Sequence, residues 1–347
     1  MNIRPITDND RSIWDEYVHS HPDASPYHLY GWMVAVEKAY NFGKIGLVAE
    51  NDGRVVGVLP LIILKIPFCK PVFVSLPYCD VGSTLAENEM VEELLLAEAI
   101  AMAQKAGASA LDLRSSLPNF SEKQALPVEK TENKVRMLLE LQTSSDELWN
   151  GFKSKLRSQI RKAEKNGLRF EIANKKTDLF YDVFSQNMRD LGSPVHSRKM
   201  IKEVVSQFGD CAELGLVFKE NLPIGAGLIL RVGNKVSIPW ASTLRSHNRL
   251  GPNMLLYWGF LQYASDNGCT LFDFGRSTRG EGTYRFKAQW GAQPQPLIWN
   301  RILFTGTVPT EKEPTSRNKE IIAGMWRKLP IPVANCFGPL VRKYISL

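Results

Sequence analysis

One order of structural elements occurs twice in this chain, and it constrains the fold more than any single motif. Residues 46–64 and residues 215–232 each read as an apolar strand, a polar turn and a glycine-bearing apolar strand. Residues 101–116 and 261–277 each pass from a helical pattern into a short strand, and a shift of 161 positions aligns Asp112 with Asp273. Unless two ordinary helix-to-strand transitions are similar by chance, the chain contains two copies of one mixed α/β unit.

The length of 347 residues also exceeds that of a usual single domain, and 44% of the residues are apolar, which is ample material for a core. The first copy continues into a proline-containing polar segment at 117–133, which is expected to be a loop that ends the first domain. We therefore predict an N-terminal domain at 1–142, a C-terminal domain at 143–308 that begins with a basic helix and holds the active site, and an amphipathic tail at 309–347.

The second copy differs from the first in the residues that come after its last strand. Residues 271–291, LFDFGRSTRGEGTYRFKAQWG, begin as an apolar strand and then carry four cations and three aromatic residues within 15 positions. Charges in a loop usually face solvent, but this density just beyond a strand end favours the lining of an anion-binding site. The cations are Arg276, Arg279, Arg285 and Lys287, and the aromatic residues are Tyr284, Phe286 and Trp290.

Lys287 is the residue of this stretch best suited to a catalytic role. Polar and apolar side chains alternate over residues 284–289, so an extended backbone would place the cations on one face. A lysine ammonium is a point charge that can follow a developing oxyanion, whereas Arg276 suits a fixed grip on a phosphate or carboxylate. The alternative is that Lys287 pairs with Asp273 or Glu281 and only fixes the loop.

A turn at 249–253, RLGPN, begins a long apolar helix and follows a strand that contains Trp240. The start of a helix offers backbone N–H groups and a positive dipole end to a phosphate or carboxylate, although Gly-Pro before a helix is also ordinary capping. The candidate donor- and substrate-binding residues near the turn and the cationic stretch are Arg249, Gly251, Asn253, Trp240, Tyr284 and Arg285.

His196 is the best-placed histidine, because it stands in a Gly-Ser-Pro-Val-His turn. It would serve as a general base or contact substrate, unless it is a loop histidine bonded to the backbone, which is the commoner case. His19, His21 and His28 lack metal-ligand spacing with nearby acids, so they are interpreted as structural and no metal site is predicted.

A basic amphipathic helix is predicted at residues 147–166, between the two copies. Its apolar residues recur at spacings of three and four, at Trp149, Phe152, Leu156, Ile160 and Ala163, so one face packs inward. The other face suits RNA phosphates or an anionic membrane surface, but it would equally suit solvent. Its candidate polyanion-binding residues are Lys155, Arg157, Arg161 and Lys162.

The composition fits an intracellular protein with a polyanionic partner. The formal net charge is +7 and the pI is about 9.1. Five scattered cysteines without a CxxC pair argue for free thiols in a reducing compartment. The N-terminus is polar and no run of 18 apolar residues occurs, so we expect a cytoplasmic protein that is neither exported nor membrane-spanning.

The tail after Pro309 mixes apolar and basic residues, and its prolines prevent one continuous helix. Two interpretations stay open. The tail docks on the second domain, or it makes peripheral contact with the inner membrane, where lipid-linked acceptors reside.

Several of these segments together resemble the FemAB-type branch of the GNAT acyltransferase superfamily. The segments are KLRSQIRKAEKNGL, RLGPNMLLYWGFLQYA and, most specifically, FDFGRS followed by GTYRFKAQWGA. The resemblance covers residues 1–300 and is especially similar to the FemAB-related proteins found beside exosortase and exopolysaccharide systems. It implies an α/β (α+β) fold of tandem GNAT-like domains, each a mixed β-sheet flanked by helices.

The resemblance also implies a reaction and its donors. Members of this branch transfer an aminoacyl group from aminoacyl-tRNA to a peptidoglycan precursor, or are assigned acyl-CoA-dependent N-acylation. Their Phe-Lys dipeptide, which contacts the tRNA end and the reacting ester, matches Phe286-Lys287. The predicted catalytic residues are therefore Lys287, Phe286 and Arg276. The chain lacks the long coiled-coil insertion of the staphylococcal members, and the usual pyrophosphate loop is reduced to residues 249–253. Both donors, aminoacyl-tRNA and acyl-CoA, therefore stay open.

The expected reaction is attack of an amine of a cell-envelope or exopolysaccharide precursor on an activated ester or thioester. The oxyanion that develops is stabilised by fixed cations and N–H donors, and no nucleophilic Ser or Cys is needed. The alternative is a non-catalytic RNA-binding or scaffold protein on the same fold. Catalysis would require the cations to converge on one site, whereas polyanion binding would leave them spread over a face.

Overall fold

The computed structural model describes residues 1–115, 117, 126–173, 176–304 and 316–346, and contacts within the chain divide these residues into two compact units. The first unit comprises residues 1–115, 117, 126–135, 296–304 and 346, and the second comprises 136–173, 176–295 and 316–345. The chain leaves the first unit inside a strand, between Val135 and Arg136. The division into domains at residues 142 and 308 stays a prediction.

The strands are β1 (Asn2–Pro5), β2 (Gly43–Asn51), β3 (Arg54–Leu64), β4 (Val72–Val74), β5 (Leu85–Ala86), β6 (Ala110–Leu113), β7 (Val128–Glu140), β8 (Leu168–Ile172), β9 (Ala212–Lys219), β10 (Leu222–Val232), β11 (Lys235–Thr243), β12 (Leu271–Ser277) and β13 (Gln293–Leu303). The helices are α1 (Arg11–Ser20), α2 (Tyr30–Tyr40), α3 (Glu89–Lys105), α4 (Ser145–Gly151), α5 (Ser154–Lys165), α6 (Thr177–Leu191), α7 (Arg198–Phe208), α8 (Pro252–Asp266), α9 (Gly282–Ala288), α10 (Ser316–Arg327) and α11 (Ile331–Arg342).

The first unit orders its strands β1-β2-β3-β4-β6-β13, and β5 pairs with β3. β2 and β3 form the predicted antiparallel hairpin, in which Asp52 and Gly53 both have positive φ, as a tight two-residue turn requires. β4 and β6 are parallel, and the connection between them contains α3. Parallel strands need such a crossover, because a hairpin can join only antiparallel strands.

The second unit repeats this plan with the strand order β7-β12-β11-β10-β9-β8. β9 and β10 form the antiparallel hairpin, and the parallel strands β11 and β12 are connected through α8. Gly107 and Gly268, which the shift of 161 residues aligns, both follow their helix in the left-handed conformation, with φ of 67° and 74°. The prediction of two mixed α/β copies is therefore confirmed.

Each copy also contains an ion pair at the equivalent aspartate. Asp112 on β6 lies 3.3 Å from Arg301 on β13, and Asp273 on β12 lies 3.3 Å from Arg136 on β7. Both carboxylates are largely withdrawn from water, where an unpaired charge would be costly. The aligned aspartates thus each pair with an arginine of another strand.

Two sequence predictions differ from the structure. Part of the predicted loop at 117–133 is strand, since β7 begins at Val128, and residues 118–125 lie outside the described part of the chain. The first half of β7 is polar and exposed, and burial alternates only from Val135 onward, so the pattern of a strand is absent from the sequence there. The predicted helix at 147–166 is two helices, α4 and α5, because Phe152 and Lys153 have extended backbones.

The tail helices α10 and α11 pack on α6 of the second unit. The chain between them turns at Pro330, so the prediction that prolines prevent one continuous helix is confirmed. In the described part of the chain, no helix combines the length and apolar character needed to cross a bilayer.

The helix α8 approaches the sheet of the second unit closely because glycines lie beneath it. Gly215 on β9 and Gly227 on β10 are directly opposite each other, and a Cβ on either would lie 2.5 Å from the ring of Phe260. A Cβ on Gly259 of α8 would in turn lie 2.4 Å from the ring of Phe170. Side chains at these positions would push α8 away from the sheet.

We expect Gly227→Ala to lower the free energy of unfolding by about 1–3 kcal/mol, the usual cost of overpacking a core. Urea denaturation of the full chain measures the change. Gly151→Ala is the matched control, because nothing lies within 4 Å of a Cβ at that position and its φ is not positive. Equal stability of the two variants would show that α8 has room to move.

Candidate active site

The candidate site begins at a bend inside β12. Gly275 has a φ of 73°, a conformation that side chains disfavour, and its N–H donates to the Asp273 carboxylate at 2.8 Å. Asp273 also pairs with Arg136. At this bend, the carbonyl oxygens of Gly275 and Arg276 both accept hydrogen bonds from the side chain of Lys287.

The ammonium of Lys287 is held at this bend. Its Nζ donates to the carbonyl oxygen of Gly275 at 3.1 Å and to that of Arg276 at 2.7 Å, and the residue is only 8% exposed. Carbonyl oxygens are neutral, so they orient the ammonium without neutralising its charge. Lys287 therefore both fixes the end of β12 and places a positive charge there.

The expectation of an extended backbone over residues 284–289 is wrong, because Gly282–Ala288 form the helix α9. Helical bonds run from the N–H of Arg285 to the Glu281 carbonyl and from the N–H of Gln289 to the Arg285 carbonyl, each at 3.1 Å. A two-residue alternation over six residues is too short to distinguish a strand from a two-turn helix. In the helix, Arg285 and Lys287 no longer share a face.

An aromatic cluster surrounds the base of α9. The ring of Phe286 meets Tyr257 of α8 edge-on at 5.1 Å, and Tyr257 stacks on Phe274 of β12 at 5.5 Å. Trp290 lies 6.2 Å from Phe286 and 5.6 Å from Phe152. Burial raises the pKa of Tyr257, so its phenol stays neutral. The cluster gives the site a rigid apolar wall, in which only Phe286 belongs to the predicted catalytic residues.

Two buried polar atoms near Lys287 have no hydrogen-bond partner among the described residues. They are Oγ of Ser277, at the end of β12, and Nε1 of Trp290. Buried polar groups are nearly always bonded to protein or water, so such atoms are candidates to bond a water or a ligand. Ser277 is not among the predicted site residues, because a serine at a strand end has no distinctive pattern. Trp290 is predicted only as an aromatic residue of the cationic stretch, without a role for its Nε1.

Two other predicted residues of the cationic stretch have different surroundings. Arg285 is exposed and donates from Nε and Nη2 to the carbonyl oxygen of Gly280, at 3.1 and 2.8 Å, which closes the turn before α9. Tyr284 is half-buried. Their donor-binding role stays a prediction.

The turn at 249–253 uses most of its own backbone donors. The N–H of Gly251 donates to the Asn248 carbonyl at 3.1 Å, and the N–H of Met254 donates to the Gly251 carbonyl at 3.0 Å. Pro252 has no N–H, and Arg249 and Asn253 are exposed. The turn thus offers few backbone N–H groups to a pyrophosphate, although the three predicted residues remain at its surface.

His196 and Trp240 lie together in the core of the second unit. Their ring centroids are 5.6 Å apart, and His196 is only 2% exposed. Burial, together with the positive charge of Arg342, holds the pKa of His196 well below its usual range, so the imidazole is neutral at physiological pH. The hydroxyl of Tyr181 donates to the His196 carbonyl at 2.9 Å. This geometry favours the structural interpretation over a solvent-accessible base.

The helix α5 has the predicted basic face. Lys155, Arg161 and Lys162 are exposed, Arg157 is half-buried, and the guanidinium of Arg161 lies 5.3 Å from the ring of Trp149. The opposite face, with Leu156, Ile160 and Ala163, is buried. These cations are spread over a surface, whereas Lys287 is enclosed.

A cavity of about 440 Å³ lies elsewhere in the second unit, between the end of α6, the segment after β11 and the end of α10. Its lining residues are Asn187, Asp190, Leu191, Arg245, Asn248 and Arg327. The guanidinium of Arg245 has no hydrogen-bond or ion-pair partner among the residues that the structure describes. The cavity is not predicted from the sequence, because its lining residues come from three separate segments.

Comparison with known proteins places these features in a family context. A family model described as an acetyltransferase (GNAT) domain matches residues 150–288. The lipid II:glycine glycyltransferase of Staphylococcus epidermidis is 21% identical in an alignment of 370 positions that covers 80% of this chain and 87% of that protein. The crystal structure of FemX has a TM-score of 0.69 at 18% identity and covers 87% of this chain and 98% of its own.

A tandem GNAT protein from the clavulanic acid biosynthesis pathway has a TM-score of 0.56 at 14% identity, with 88% of this chain and 99% of that chain covered. These structures share the fold of two consecutive mixed α/β copies. The residues that the family model matches include α8, β12 and Lys287. Residues 150–288 thus match a GNAT acetyltransferase domain, and most of the chain is similar to a FemAB-like acyltransferase.

Proposed function

We propose that this protein transfers an aminoacyl group from aminoacyl-tRNA to an amine of a peptidoglycan precursor or a related cell-envelope precursor. The observation that carries the proposal is the Lys287 ammonium, held by two carbonyl oxygens at the bend of β12 beside the aromatic cluster. The similarity to a lipid II:glycine glycyltransferase supports the choice of acceptor. Exopolysaccharide precursors are the second acceptor class.

The reaction needs charge stabilisation rather than a protein nucleophile. The acceptor amine attacks the ester carbonyl, a C–N bond forms, the ester C–O bond breaks, and the amine proton passes to the departing oxygen. Negative charge develops on the carbonyl oxygen in the transition state, and a fixed ammonium lowers its energy. Lys287 is suited to this role because its orientation is set before the substrate arrives.

The turn at 249–253 favours an aminoacyl ester over acyl-CoA as donor. A CoA pyrophosphate is usually held by several backbone N–H groups at a helix start, and here Pro252, Gly251 and Met254 offer none or use theirs internally. The basic face of α5 suits the phosphates of tRNA. Phe152, which lies just before α5, contacts Trp290 of the aromatic cluster, so the basic helix and the cluster are adjacent.

The cavity at the end of α6 suits an anionic part of the acceptor. Cell-envelope precursors carry carboxylates and phosphates, and Arg245 and Arg327 line the cavity with the amides of Asn187 and Asn248. The one acid of the lining, Asp190, pairs with Arg189 at 2.8 Å. Asn248 accepts from Thr243 Oγ1 at 3.0 Å through its Oδ1, which leaves its amide nitrogen to donate. Because such acceptors are linked to lipid, the proposal places the protein in the cytoplasm, peripheral to the inner membrane.

The direct test incubates the protein with tRNA charged with radiolabelled amino acids and with lipid II. Transfer of label to lipid II supports the proposal. Transfer from acyl-CoA alone would leave an acyltransferase with a different donor, and no transfer from either donor would contradict the proposed reaction.

We expect Lys287→Met to lower turnover by about 10²-fold or more, the scale for removing one oxyanion partner. Two carbonyl oxygens lose a donor, so some loss of stability is also expected, and thermal unfolding must be measured alongside. The control for the loss of one positive charge is Lys199→Met, at an exposed lysine outside the site. Near-normal turnover by folded Lys287→Met would remove Lys287 from the catalytic site.

Neutralising Lys155, Arg157, Arg161 and Lys162 to glutamine should weaken tRNA binding and reduce its salt dependence, by about 0.9 in the logarithmic slope for each phosphate that the variant no longer neutralises. Binding is measured over a range of salt concentrations. The control replaces four exposed lysines elsewhere, at positions 65, 70, 105 and 199, with glutamine. If both variants lose affinity equally, net charge explains the effect and α5 has no special role.

Arg245→Gln should raise the KM for the acceptor by about tenfold with little change in kcat, because a hydrogen bond to a charged group contributes about 1.5–3 kcal/mol. Steady-state kinetics with varied acceptor and saturating donor measure both constants. Arg231→Gln, at a partly exposed arginine outside the cavity lining, is the control. A fall in kcat with unchanged KM would show that the cavity does not bind the acceptor.

A further inference from the structure

The tail helices α10 and α11 have an inner side that is docked on the second unit. A Cβ on Gly192 would lie 2.7 Å from Ala323, and one on Gly338 would lie 3.0 Å from the backbone of Val195. Arg189 Nη1 donates to the Leu329 carbonyl at 3.3 Å, at the turn between the two helices. These close contacts fix which sides of the helices face outward.

The outward side is apolar, which is unusual for a docked helix pair. Of the fifteen large apolar residues that are exposed in the described part of the chain, eight lie between Ile321 and Ile345. Their exposure ranges from 36% to 67%. We call them the tail surface: Ile321, Ile322 and Met325 on α10, Val333, Phe337, Leu340 and Val341 on α11, and Ile345 just after it.

The spacing shows that the tail surface is one continuous stripe on each helix. Residues 333, 337, 340 and 341 follow the three-and-four spacing of a helix face, and residues 321, 322 and 325 do the same on α10. Scattered apolar residues on a protein surface need no explanation, but a contiguous patch of this kind marks an interaction site.

The charges around the tail surface are almost all positive. Arg327 and Lys328 follow the stripe of α10, and Arg342 and Lys343 follow that of α11. No Asp or Glu occurs from Ile321 to Leu347. The acid Glu320 pairs with Arg327 at 2.8 Å. Apolar residues flanked by cations are the composition of helices that lie in the interface of an anionic bilayer.

We propose that the tail surface docks the protein on the surface of a bilayer that contains anionic phospholipid. The apolar stripes enter the boundary between headgroups and acyl chains, and Lys328, Arg342 and Lys343 contact lipid phosphates. The helices lie in the plane of the interface, since none of the described helices is long and apolar enough to cross it. The inference rests on the proposed function only in that a lipid-linked acceptor gives the contact a use.

Co-sedimentation of the full-length protein with vesicles tests the inference without donor or acceptor. We expect binding to vesicles of phosphatidylglycerol and phosphatidylcholine that weakens as salt is raised, with much weaker binding to phosphatidylcholine alone. The double variant Phe337→Asp, Leu340→Asp should lose affinity by about tenfold or more, because it places two charges in the apolar contact. Arg342→Gln with Lys343→Gln should weaken binding and reduce its salt dependence.

The matched control is Met90→Asp with Leu94→Asp, which adds the same charges at exposed apolar positions of α3 and should bind as the unaltered protein does. Thermal unfolding verifies that each variant is folded. Unaltered protein that stays in the supernatant, or a Phe337→Asp, Leu340→Asp variant that still pellets normally, would overturn the inference. So would a dimer in solution that this variant dissociates without any vesicle binding, because the surface would then belong to a second copy.

Transfer to a water-soluble form of the acceptor separates this inference from the proposed function. If the tail surface only docks the protein, the Phe337→Asp, Leu340→Asp variant keeps that activity and loses only the vesicle contact. If the proposed reaction fails for every protein variant while vesicle binding persists, the docking surface stands and the reaction is at fault.

Discussion

The close packing of α8 on its sheet is the constraint from which the site follows. Gly215 and Gly227 leave room for the ring of Phe260, and Gly259 leaves room for Phe170. Only at this short distance can Tyr257, three residues before Phe260, stack on Phe274 of β12 and support Phe286. The position of α9, which carries Lys287, therefore depends on having glycine, with no side chain, at these positions of the sheet.

The aromatic residues also connect the site to the basic helix. Trp149 contacts Trp258 at 5.0 Å, Trp258 contacts Phe152 at 5.7 Å, and Phe152 contacts Trp290. Rigid aromatic packing of this kind fixes the distance between the surface that would hold a polyanion and the charge that would act on its end. A long substrate bound to the basic face of α5 would therefore present its end to Lys287 at one fixed position.

Much of the fold could be predicted from the sequence, because repetition and hairpin turns are local patterns. The Asp52-Gly53 turn, the aligned Gly107 and Gly268, and the basic face of α5 are all visible in the chain itself. The backbone around Lys287 could not be predicted, since six alternating residues fit a strand or a short helix equally. The cavity near Arg245 depends on residues of three segments brought together by tertiary packing, which no local pattern records.

The ion pair between Asp112 and Arg301 has a consequence for the order of folding during synthesis. The first unit is completed by β13, which pairs Arg301 with Asp112 and Asn300 with Leu113. A ribosome must therefore make more than 300 residues before the edge of β6 is covered and Asp112 can pair with Arg301. Chains usually fold their N-terminal part first. Here the first unit keeps an unpaired strand edge at β6 until β13 has been synthesised.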